Sequence, residues 1–143
     1  MASDAGLDLA LLRLTAQQDG SPLPNDLGLG ILTIGNSDSV DSPDPVTVLG
    51  YPGVGQFPGL GQQTLTITTG TIAGFSPDAS MIKIDAEINP GNSGGPAINR
   101  TYEQIGVASM VTFGTRTPGK IGWIRPINLA RPMIEHAKRD AGE

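Results

Sequence analysis

Cysteine is absent from this chain of 143 residues, and histidine occurs once, at His136. Without cysteine there is no disulfide framework and no thiolate metal site. A single imidazole does not build a histidine zinc site. Charge is also sparse. Only 16% of residues are Asp, Glu, Lys or Arg, and the net charge is −5, from 14 acidic and 9 basic side chains. The basic residues form no cluster, which argues against nucleic acid as a partner. No apolar run reaches the length of a membrane span, and no signal peptide opens the chain.

What is abundant is glycine, at 20 residues, and proline, at 12. Together with many Thr, Val and Ile, they favour an all-β domain with frequent turns over a helical bundle. The length suits one domain with a real core. Leu7 to Leu14 reads as a short buried strand with one acid, Asp8, embedded in it. A polar connection with two prolines follows from Thr15 to Asn25, then a brief apolar run from Leu29 to Ile34 and a turn-rich loop from Gly35 to Pro45. Further strands are expected over Val46 to Tyr51, Thr64 to Ala73, Met81 to Asp85, Gln104 to Phe113 and Lys120 to Arg125, with Pro96 to Ile98 as the exit from the loop that follows the third of these. The glycine-rich stretch 53–61 lacks the spacing of a phosphate cradle and precedes a Thr-rich strand, where a phosphate loop would open a helix. From Asn128 the period changes. Leu129, Met133, Ile134 and Ala137 share one helical face, with Asn128 as the expected cap. Short strands closed by a terminal helix suggest a β-barrel.

The chemistry concentrates in Ile88-Asn89-Pro90-Gly91-Asn92-Ser93-Gly94-Gly95-Pro96-Ala97-Ile98-Asn99. Glycines open backbone angles closed to other residues, and the two prolines remove donors, so the segment is a tight loop and not a helix. It presents the Ser93 hydroxyl among bare N–H groups. Acyl transfer needs that combination of an exposed nucleophile and amides aimed at the developing oxyanion.

Gly91-Asn92-Ser93-Gly94-Gly95-Pro96, preceded by Asp85-Ala86-Glu87-Ile88-Asn89-Pro90, resembles the nucleophile motif of trypsin-like (chymotrypsin-fold) serine endopeptidases, closest to the bacterial HtrA-like branch. Asp8-Leu9-Ala10-Leu11-Leu12 is similar to the family segment in which the triad acid precedes alternating apolar residues. Gly106-Val107-Ala108-Ser109 resembles the strand bordering the substrate cleft, and Gly122-Trp123-Ile124-Arg125-Pro126 the lead into the final helix. The resemblance implies an antiparallel six-stranded Greek-key barrel, the second of the family's two, with a C-terminal α-helix. Residues 1–14 would be a remnant strand of the first barrel, 15–44 the inter-barrel linker, 45–125 the second barrel and 126–143 the helix and tail.

The resemblance also implies roles. Ser93 would be the nucleophile and Asp8 the acid that orients an imidazole. Gly91 and Ser93 would supply the oxyanion-hole amides, with Asn92 holding the loop. Ser109, Met110 and Val111 would line the cleft, their backbone pairing with an extended substrate strand. Glu87, six residues before Ser93, falls close to the floor of the primary specificity pocket, although a carboxylate pointing to solvent is the plainer reading. The intact enzyme would cleave protein or peptide substrates without metal or organic cofactor, in an extracytoplasmic or secreted setting.

One departure matters. The family order is His, Asp, Ser, yet only seven residues precede Asp8 and none is histidine. His136 lies downstream and reads as a surface residue of the terminal helix. The chain is therefore expected to be a truncated, second-barrel piece that is inactive alone, with the loop from Gly91 to Gly94 either mobile or out of oxyanion geometry. The alternative is a non-catalytic binding or self-association module, dimeric through an exposed barrel face. Gly-x-Ser-x-Gly also fits the elbow of α/β-hydrolases, with Ser93, Glu103 and His136 in order, but that elbow requires a helix after the serine.

Overall fold

The computed structural model describes residues 2–51, 64–113 and 120–141. The glycine-rich stretch 53–61 and the turn expected at 114–119 lie outside the described residues. Nine strands are described: β1 (Ala2–Asp4), β2 (Leu9–Leu11), β3 (Thr33–Ile34), β4 (Pro45–Gly50), β5 (Thr66–Phe75), β6 (Ile82–Ile84), β7 (Pro96–Ile98), β8 (Glu103–Phe113) and β9 (Lys120–Pro126). A 3-10 turn at Ile127–Ala130 leads into helix α1 (Arg131–Ala141).

Strands β8, β7, β4, β5, β6 and β9 pair antiparallel in that order, and β9 pairs back onto β8. The sheet thus closes into the six-stranded antiparallel barrel implied by the resemblance, with one C-terminal helix. Closure removes the open edges of these strands. Period-2 patterning sets which side chains point inward. Val46 and Val48 of β4, Ile82 and Ile84 of β6, and Ile72, Ile105, Ala108 and Ile124 fill the barrel, each at most 2% exposed. Burial of each large aliphatic side chain contributes about 1.5–3 kcal/mol. The short β3 adds to the barrel as a parallel pair with the start of β8.

β1 and β2 form a separate two-stranded antiparallel sheet. Here the structure differs from a continuous buried strand over Leu7 to Leu14. Leu9 is buried, but Leu12 and Leu14 are exposed, and only Leu9–Leu11 is strand. Asp8 sits outside the strand, in the turn before it, with a positive φ of 54°. Asp is one of the few residues besides glycine that tolerates this region, because its short polar side chain bonds locally.

Asn128 also departs from expectation. It lies inside the 3-10 turn and ties the helix entrance to the loop after β3. Its Nδ2 donates to Asn36 Oδ1 at 2.7 Å, its N–H donates to Ser37 Oγ at 3.1 Å, and its Oδ1 accepts from Arg131 Nε at 2.8 Å. Arg131 also donates to the Gly35 carbonyl at 2.6 Å. The two segments of this clasp, Gly35 to Ser37 and Asn128 to Arg131, are about ninety residues apart and leave no periodic signal of it. The β5–β6 turn closes around Asp78, whose Oδ1 accepts from both Ser76 and Ser80. Those bonds hold the carboxyl at about 2. Among the described residues, no helix is long and apolar enough to cross a membrane.

Candidate active site

Ser93 lies between the end of β6 and β7, in a segment anchored at three levels. Asn92 N–H donates to the Asn89 carbonyl at 3.0 Å, and Gly95 N–H to the Asn92 carbonyl at 2.8 Å, which forms two consecutive tight turns. Gly91 and Gly94 take φ values of 103° and 85°, as the glycine pattern requires. Asn92 is 1% exposed and packs beneath the loop against Gly50, where a Cβ would lie 2.4 Å from Asn92 Oδ1. The Tyr51 N–H reaches the Gly91 carbonyl at 3.4 Å. Backbone bonds from β8 and within the loop tie the segment at Asn92, Gly94 and Gly95.

The strongest hold comes from β8. Gly94 N–H donates to the Ala108 carbonyl at 2.8 Å, and Ala108 N–H to the Gly95 carbonyl at 2.9 Å. β8 has a bulge at the next residue: Ala108 pairs with Ile124 and Met110 with Trp123, which leaves Ser109 without a β9 partner. A bulge re-aims the groups of the extra residue. The freed Ser109 carbonyl accepts the Ser93 hydroxyl at 3.0 Å, and the Ser109 hydroxyl donates to Asp8 Oδ2 at 3.0 Å. Asp8, Ser93 and Ser109 are thereby brought together from positions up to 101 residues apart. Among the described residues, the loop's backbone hydrogen bonds use the amides of Asn92, Gly94 and Gly95, and none uses those of Gly91 or Ser93.

The other candidates fall in different places. Met110 is exposed, and the Val111 backbone pairs with Gly122. Glu87 is exposed, and its Oε1 accepts from Asn89 Nδ2 at 3.0 Å. His136 is on the exposed side of α1, with Nε2 3.4 Å from Asp140 Oδ2, one helical turn away. It makes no hydrogen bond to Ser93 or Asp8. Strand β7 follows the serine, with no intervening helix, which rules out the α/β-hydrolase elbow. The resemblance implies for Ser109 a place in the cleft near the triad, without the bridge it makes between Asp8 and Ser93. The signal for its bridging place is a bulge, which a single strand's sequence does not announce.

Gly95 has no room for a side chain, since a Cβ would lie 2.1 Å from the Leu49 carbonyl oxygen and 2.8 Å from that of Asn92. Gly95→Ala is expected to destabilise the fold by about 3 kcal/mol, the upper range of overpacking, as measured by chemical denaturation.

The chain is similar to known proteins in sequence and in fold. The model of the trypsin-like peptidase domain family matches residues 1–107. A probable periplasmic serine endoprotease, DegP-like, of Rickettsia prowazekii is 34% identical over 98% of this chain and 26% of its own length. The serine protease Do-like HtrA of Bacillus subtilis is 29% identical over 94% of this chain and 29% of its own. The chain thus spans about a quarter of the length of these curated relatives. Among solved structures, an HtrA-type protease with a bound tripeptide superposes with a TM-score of 0.60 at 28% identity, covering 80% of this chain and 37% of that one. The same type of protease with a decapeptide gives 0.60 at 26% identity, covering 87% of this chain and 36% of that one. With its closed barrel, its serine loop and these relatives, the chain belongs to the trypsin-like peptidase domain family, alongside proteases of the HtrA and DegP type.

Proposed function

We propose that this chain carries the nucleophile half of a serine endopeptidase site. Ser93 attacks a peptide carbonyl, and the amides of Gly91 and Ser93 receive the oxyanion. Asp8 orients the imidazole that takes the serine proton, and the backbone of Ser109 to Val111 pairs with an extended peptide. The observation that carries this reading is the succession of two hydrogen bonds, Asp8 to the Ser109 hydroxyl and the Ser109 carbonyl to Ser93. It ties the acid and the alcohol to one residue of β8, and an imidazole that accepts from Ser93 and donates to Asp8 is the group this reading requires beside them. The amides of Gly91 and Ser93 remain unused by the loop's own bonds, as an oxyanion hole demands.

The proton acceptor is not among residues 1–143 in the family's order, because the sole histidine is His136 on α1. A serine hydroxyl without a base is a weak nucleophile. Taken alone, the 143-residue chain is therefore inactive. Glu87 contributes no charged specificity pocket in this reading, since its carboxylate is exposed and engaged with Asn89.

A specific observation favours a second role for the isolated chain. Leu12, Leu14, Leu29 and Ile31 are exposed, Ile31 by 93%. Apolar side chains left in water favour association.

Two measurements test these readings. Incubation with a fluorophosphonate probe and with a denatured protein substrate is expected to give neither prompt labelling nor cleavage. Rapid stoichiometric modification of Ser93 contradicts the inactivity. Light scattering at rising concentration is expected to show dimers or larger species, and a monomer throughout removes the association role.

A further inference from the structure

We propose that Asp85 is a positioning residue for the nucleophile loop, acting through a clasp on Thr71. The proposal rests on the reading of Ser93 as nucleophile. Asp85 is the first residue after β6 and stands directly opposite Thr71, continuing the register in which Ile84 faces Ile72. Two residues facing each other at such a position in an antiparallel ladder normally exchange both backbone bonds. Here only half of that exchange is made by the backbone: Asp85 N–H donates to the Thr71 carbonyl at 3.2 Å. The other half is made by the side chain. Thr71 N–H donates to Asp85 Oδ1, and the Thr71 hydroxyl donates to Asp85 Oδ2 at 3.0 Å.

The carboxylate thus replaces the main-chain carbonyl that a continuing strand would offer. The backbone is free to leave the ladder at residue 85 without orphaning the Thr71 donor, and an orphaned donor is costly. Neighbouring residues fit this exit. A Cβ at Gly70 would lie 2.4 Å from both the Ala86 nitrogen and Asp85 Oδ1, so only glycine lets the departing chain pass. Two residues on, the Thr68 hydroxyl donates to the Glu87 carbonyl at 2.9 Å. Ala86 and Ile88 then point into the core, each 2% exposed. β5 therefore sets where the loop begins, through Asp85, just as β8 sets where it ends, through Ala108. Ser93 lies between these two fixed points.

Amide hydrogen exchange of the whole chain, read by NMR, tests the clasp. In Asp85→Ala, exchange at Gly94 and Gly95 is expected to accelerate about ten- to a hundredfold relative to core amides such as Val48 and Ile105, the range for losing hydrogen bonds to a charged acceptor. Asp85→Asn keeps an acceptor for the Thr71 N–H and is expected to remain within about threefold of the unmodified chain. Unchanged loop exchange in Asp85→Ala overturns the proposal, as does uniform acceleration of loop and core together, which marks a contribution to global stability only. If Asp85→Ala does not fold, Thr71→Val decides. It removes the hydroxyl link alone, and faster exchange confined to the loop supports the clasp while none overturns it. No turnover is measured, so a negative result bears on the clasp. Failure of Ser93 as nucleophile appears instead as absent acyl chemistry with a well-protected loop.

Discussion

The candidate site depends on one exchange of backbone hydrogen bonds, between Ala108 of β8 and the Gly94–Gly95 pair. This exchange brings a middle strand of the barrel against a loop that has no regular structure of its own. Directly after it, the bulge at Ser109 turns a carbonyl and a hydroxyl out of the β8–β9 ladder. One takes the Ser93 hydroxyl and the other reaches Asp8. Had β8 run on in unbroken register, Ser109 would spend its backbone on β9. Neither the serine nor the acid would then have a common reference point.

The two sides of the site differ in how firmly they are held. Ser93 is itself exposed, but its loop is tied by turns, by the buried Asn92 beside it and by backbone bonds to β8. Asp8 stands on an exposed turn of a small two-stranded sheet that is not part of the barrel, and its side chain reaches the barrel through the Ser109 hydroxyl. β1 of that sheet also lies against α1. In the proposed reading the barrel sets the nucleophile, while the acid is carried by a separate small sheet.

The barrel was legible in the sequence because its strands obey simple periods. The alternation in β4 and β6 and the Thr-rich run of β5 each point one face inward, and turn residues separate them. The serine loop was legible for a different reason, as its glycines and prolines exclude regular structure over a stretch of chain that ends in a strand. What escaped the sequence was every feature built from long-range pairing. The bulge that frees Ser109 depends on register with β9. The Asn128–Arg131 clasp depends on the loop at Gly35 to Ser37. The Asp85–Thr71 clasp depends on β5 and β6 lying side by side. Leu7 to Leu14 misled for a related reason. Its apolar residues read as a buried strand, but Leu12 and Leu14 are left exposed among the described residues.

The central claim is that Ser93 is a nucleophile awaiting a base supplied from outside residues 1–143. The most direct measurement combines this chain with a polypeptide that supplies a first barrel and its histidine, and follows hydrolysis of an unstructured peptide. The account predicts cleavage in the mixture only, with Ser93→Ala lowering it by more than about a thousandfold, as expected when a triad member is removed. Cleavage that persists undiminished in the Ser93→Ala mixture contradicts it.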